Sequence, residues 1–187
     1  MSWVVWVIML GVIVLLALFL VGMYNKLVRL RNRCENAWAQ VDVQLKKRHD
    51  LIPNLVEAVK GYAAHERGVF DEVTKARAAA QQAQGAQAQG AAEGMLSAAL
   101  GRLFAVAEAY PVLRATENFQ QLQAQLTEVE GQIAVSRQVY NDTVLSYENA
   151  LETVPTSVIA GLFNFKSREY FEVEDAAARE APQVSFS

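Results

Sequence analysis

Few residues in this chain have the types and spacing that chemistry needs. The two histidines, His49 and His65, stand 16 residues apart on what reads as one helix, too far for a shared metal. His65-Glu66 opens like the His-Glu-x-x-His zinc motif, but Val69 occupies the place of the second histidine. No Glu-x-x-His pair is present, so a carboxylate-bridged metal pair has no support. The phosphate-cradling GxxxxGK, the dinucleotide GxGxxG and the nucleophile-elbow GxSxG are all missing. Cys34 is the single cysteine, which excludes an intramolecular disulfide and a cysteine zinc cage within one chain. It reads as a small buried apolar residue, with an intermolecular bridge as the alternative. His49 reads as a solvated surface residue. Lys46-Lys47-Arg48 reads as a solvated face, the alternative being a docking face for an acidic partner. The expectation is a protein that is not an enzyme, with no cofactor and no metal.

The elements that carry these residues are helices. In Ala37–Tyr62, Trp38, Leu45, Ile52 and Val59 recur every seven residues, with Cys34, Val41, Leu55 and Tyr62 interleaved. That stripe predicts a long amphipathic helix packed on other helices. Asp42 four residues before Lys46 adds a weak surface pair. Pro53 removes one backbone donor, and because the stripe keeps its phase across it, a kink is favoured over a stop near Asp50. The helix is expected to reach about His65, with a turn in GYAAHERG. A second arm opens at Val69 and decays into QQAQGAQAQGAAEG (81–94), expected to be a weak, mobile or looped stretch, with a continuous, poorly packed helix as the alternative. Its stripe resumes at Leu96, Leu100, Leu103, Ala107 and Tyr110 and meets Pro111. Phe119, Leu126, Ile133, Tyr140 and Tyr147 form the next seam at intervals of seven, and Pro155 ends it. A short helix is expected at Thr156–Leu162.

The apolar share of 52% is high for a local reason. Trp3–Met23 carries no charge, and about 20 apolar residues span a bilayer as a helix. Trp3, Trp6 and Tyr24 mark its ends as interfacial aromatics do. A cleaved signal peptide would need a basic start and a small-x-small site, and neither is present. Lys26, Arg29, Arg31 and Arg33 follow the span against Glu35 alone, which places the body in the cytoplasm by the positive-inside rule. These cations serve as a topology signal or as a contact for anionic headgroups. A net charge of −3 gives no reason to expect nucleic acid.

Three stretches carry a resemblance: Ala37–Tyr62, LFAVAEAYPVLRATENFQQLQAQL (Leu103–Leu126) and RQVYNDTV (Arg137–Val144). Together they resemble the LemA family of membrane-anchored helical proteins of bacteria. The resemblance implies an antiparallel four-helix arrangement and settles architecture better than activity. Val112 and Thr116 depart from the usual family pattern at the turn. Asp42, Asn54, Asn118, Asn141 and Asp142 match motif positions and read as a polar layer that fixes register, or as a binding face.

The expected fold is all-α. A transmembrane helix (3–23), after a two-residue flank, continues into an elongated antiparallel bundle (24–163) of three long helices and a short fourth. An aromatic and acidic tail follows (164–187). Phe163, Phe165, Tyr170, Phe171, Val184 and Phe186 are the candidate oligomer contacts, since clustered surface aromatics call for a cover. They dock either on the chain's own bundle or on a second copy. The expected partners are the lipid bilayer, further copies of the chain and other membrane proteins. The function expected is a structural protein of the bacterial inner membrane that self-associates and organises membrane or partner proteins. The alternative is a coiled-coil-like signalling or adaptor module.

Overall fold

A computed structural model describes residues 2–172. Six helices appear in it, and among the described residues there is no strand. They are α1 (Ser2–Lys60), α2 (Arg67–Gln82), α3 (Ala86–Glu108), α4 (Pro111–Arg114), α5 (Glu117–Glu152) and α6 (Thr156–Leu162). Val184 and Phe186 lie outside the described residues.

The described chain divides into two compact units, residues 2–40 with 138–168, and residues 41–137 with 169–172. In the first unit every residue from Trp3 to Gly22 is exposed. This helix is long and apolar enough to cross a membrane. Its apolar side chains have no cover within the chain, and the hydrocarbon interior of a bilayer suits such a surface. Burial begins at Met23 and Leu27, which cluster with Ala150 of α5 and Ile159 and Ala160 of α6, backed by Leu30, Leu151 and Phe165. Trp38 meets Tyr140 at 5.1 Å between ring centroids.

The second unit holds the larger core. Ile52, Leu55 and Val59 of α1 meet Phe70 and Val73 of α2, Leu96, Leu100 and Leu103 of α3, Leu113 of α4, and Phe119 and Leu126 of α5. Leu45, Ile52 and Val59 are buried as the seven-residue stripe requires, while Trp38 is half-buried and Tyr62 exposed. In the α5 seam Phe119, Leu126, Tyr140 and Tyr147 are buried, whereas Ile133 is only half-buried and lines a surface cavity.

Several expectations need correction. α1 continues through Pro53, as favoured over a stop near Asp50, but ends at Lys60, short of His65. The residues after Pro111 form a single helical turn with the proline at its first position, where its missing donor removes nothing the helix uses. The stretch 81–94 is not a loop. Helix is absent only at Ala83–Gly85, and α3 starts at Ala86 with Ala86, Gln89, Gly90, Ala92 and Glu93 all buried. The glycines explain why. Gly85 takes φ +87°, a left-handed backbone that favours glycine. Gly90 lies against the backbone of Glu172, so closely that a methyl group there would overlap the Glu172 carbonyl oxygen. The end of the described chain crosses α3 at that point. Glu169 sits above the start of α3, its Oε2 accepting from the Gln87 backbone N–H at 3.4 Å. Phe171, between these two contacts, is 1% exposed.

Candidate functional site

Two constellations stand out, one in each unit. In the first unit the basic residues predicted to flank the span, Lys26, Arg29, Arg31 and Arg33, are all exposed. The geometry gathers other groups around Arg31. Its guanidinium carbon lies 5.8 Å from the centroid of Phe165, a cation–π contact. Tyr24 packs against Phe163 and Phe165, with ring centroids at 4.9 and 5.6 Å. Tyr24, Arg31, Tyr147, the Phe163–Phe165 turn, Lys166 and Arg168 line a cavity of about 480 Å³.

The turn is firmly built. α6 ends with Asn164 at φ 54°, the Phe165 N–H returning to Ala160 O at 2.9 Å, a Schellman arrangement with asparagine in the left-handed place. The Tyr147 hydroxyl donates to Lys166 O at 3.0 Å, and the Arg168 N–H donates to Glu148 Oε1 at 2.6 Å. Arg168 Nη2 donates to Glu35 Oε1 at 2.7 Å. Burial pushes the Tyr147 hydroxyl above the ordinary 10.0, opposed by the nearby Arg168 charge. Burial likewise raises the Cys34 thiol above 9.0, again opposed by Arg168, and its sulfur sits 3.5 Å from Thr143 O. Cys34 is thus the buried residue its stripe position implies.

In the second unit the structure brings together residues that sequence reasoning left in solvent. Arg48 and His49 are 4% and 6% exposed, and Glu93 of α3 only 2%. Arg48 Nη1 donates to Glu93 Oε2 at 2.9 Å, and His49 Nε2 donates to Glu93 Oε1 at 2.7 Å. Gln89 Nε2 also donates to Oε1, at 3.0 Å. Arg48 Nη2 reaches Ser97 Oγ at 2.8 Å and Glu130 Oε1 at 3.2 Å. Arg77 of α2 donates to His49 O at 2.7 Å. The Glu93 carboxylate accepts on both oxygens, as a buried charge must. The buried polar cluster lies on residues other than those expected to form a polar layer: Asp42, Asn54, Asn118 and Asp142 are exposed and Asn141 is half-buried. A signal was present. Cys34, Val41, Leu55 and Tyr62 form a seven-residue series whose missing member is Arg48. A surface cavity of about 360 Å³ opens beside the cluster, with Arg137 and Phe171 on its wall.

The tail aromatics divide. Phe171 is buried within its own unit and offers nothing to a second copy. Phe165 and Tyr170 are half-buried, and Phe163 is 55% exposed.

A long, uncovered apolar helix joined to a helical body with a basic flank defines a membrane-associated all-α protein. The LemA family profile matches residues 37–186, and the chain belongs to the LemA family. Among its relatives are the magnetosome proteins MamQ 1 and MamQ 2 of Paramagnetospirillum magneticum, each 26% identical over 179 residues that cover 82% of this chain and 66% of the relative. MamQ of Magnetospirillum gryphiswaldense matches with the same identity and coverage. The chain thus spans 66% of the length of these relatives.

Proposed function

We propose that this protein is a membrane-anchored structural protein of the bacterial inner membrane that self-associates and organises membrane or partner proteins. The observation that carries this reading is the uncovered apolar surface from Trp3 to Gly22, continuous with a folded helical body. The relatives named as magnetosome proteins point the same way. The role is non-catalytic and needs no nucleic acid. The body is an elongated antiparallel bundle on the cytoplasmic side, a placement motivated by Lys26, Arg29, Arg31 and Arg33.

One experiment with two arms tests this. Light scattering of the detergent-extracted full-length protein should give a particle mass that is a multiple of 20.7 kDa after detergent correction. A single-chain mass overturns self-association and leaves the adaptor role. A C-terminal reporter active only outside the membrane should stay silent, and a strong signal reverses the orientation.

A further inference from the structure

The short helix α6 and the turn after it carry apolar residues that stay largely exposed. Val158 is 65% exposed, Leu162 75% and Phe163 55%. These are not remote from the bilayer. The opposite face of α6, Ile159 and Ala160, clusters with Met23 and Leu27, where the exposed apolar stretch of α1 gives way to buried residues. α6 is thereby held at the level where the span ends. Within about 12 Å further along α1, at 1.5 Å per residue, come Lys26, Arg29 and Arg31, and the cavity beside α6 adds Lys166.

The charges around that cavity are unevenly engaged. Glu35 and Glu148 are both held by Arg168, one by its guanidinium and the other by its backbone N–H. Arg31 reaches Glu35 only at 4.0 Å, with both side chains about half exposed. Among the described residues Lys26, Arg29 and Lys166 pair with no carboxylate. Exposed apolar side chains beside unpaired cations, at the end of a span, match the two layers of a bilayer surface: acyl chains below and anionic phosphates above.

We propose that the cavity lined by Tyr24, Arg31, Phe163 and Lys166 binds the phosphate of an anionic phospholipid headgroup, with Leu162 and Phe163 seated among the acyl chains. The proposal rests on the membrane-anchored reading. It commits the exposed face of α6 to lipid and not to a second copy. The Schellman turn, the Tyr147 hydroxyl and Glu148 fix the backbone that presents Lys166, so the site is formed before lipid arrives.

The test is hydrogen exchange on the full-length protein in nanodiscs of phosphatidylcholine alone or mixed with phosphatidylglycerol. Amides of 158–168 should exchange roughly tenfold more slowly in the mixed discs. The variant Arg31→Gln with Lys166→Gln should lose most of that protection. Should that pair fail to fold, Lys166→Glu at an exposed side chain should do the same. Equal exchange in both lipids, or protection that survives these variants, overturns the proposal. Inorganic phosphate added to phosphatidylcholine discs should change nothing, and protection there would assign the site to free phosphate. Protection that tracks the number of chains per disc would assign the face to a second copy, and either result overturns the lipid assignment. Release of the protein by alkaline carbonate would overturn the anchored reading itself, which lipid-independent exchange in a carbonate-resistant protein would not.

Discussion

α1 presents opposite solutions at its two ends. From Trp3 to Gly22 it leaves leucines, valines and two tryptophans uncovered, while at Arg48 and His49 it buries a cation and an imidazole. Hydrophobicity alone predicts the reverse. The difference lies in what surrounds each stretch. The first has no cover within the chain and suits a solvent without water, whereas the second is satisfied by a carboxylate on α3. Burial in this protein follows the availability of a partner, and apolar character is one way among others of having one.

The largest expected effect comes from removing the partner at the buried end. Glu93→Ala leaves the Arg48 guanidinium without its main acceptor and should cost about 3–5 kcal/mol, read as a lower denaturant midpoint. Replacing both sides, Arg48→Met with Glu93→Leu, should recover most of that loss or exceed the parent stability. If the double variant is stable yet gives several conformers by NMR, the cluster sets helix register more than stability. A Glu93→Ala variant as stable as the parent would mean that water enters the cluster, and the contrast between the two ends would collapse.

At the other end the expectation inverts. Leu15→Arg should raise the cost of membrane insertion by about 2.5–3.5 kcal/mol, the penalty for arginine near the middle of a span. The carbonate-resistant fraction should fall while the denaturant midpoint of the helical body stays put. A midpoint that falls with Leu15→Arg would show the apolar stretch packed on protein, and the exposure from Trp3 to Gly22 would need another cover.

Much of this was legible in the sequence. The apolar periodicity gave the all-α class, the stripe through Leu45, Ile52 and Val59, and α6 to the residue. The cluster of Arg48, His49 and Glu93 is not legible there, since charged residues by type alone belong in solvent. Their seam positions, Arg48 in the series of Val41 and Leu55 and Glu93 four residues before Ser97 and three before Leu96, argued otherwise. The helix at the start of α3 is hidden from the sequence for a related reason. Alanine, glutamine and glycine build no apolar stripe, and the partner that orders them arrives from Glu169 to Glu172, some eighty residues on in the chain. A pattern confined to one window cannot report it.

That distant partner allows the sharpest test, and the one with the smallest expected effect. Glycine to alanine inside a helix is ordinarily worth up to about 1 kcal/mol of added stability. At Gly131, where an added methyl group meets nothing within 4 Å, the substitution should show that gain. At Gly90 the sign should reverse. The new methyl group would meet the Glu172 carbonyl, which is backbone and cannot rotate aside as a side chain would. Either the 169–172 segment lifts away, exposing Phe171, or α3 shifts, at a cost of about 1–3 kcal/mol typical of overpacking. The two outcomes separate in hydrogen exchange. Lifting speeds exchange at 169–172 while α3 stays protected, and a shift of α3 speeds it around Gln89 and Glu93 as well, because the ion cluster loosens with the helix. A Gly90→Ala protein stabilised like Gly131→Ala would mean that the tail does not rest on α3 in solution. The burial of 86–94 would then need a different cover.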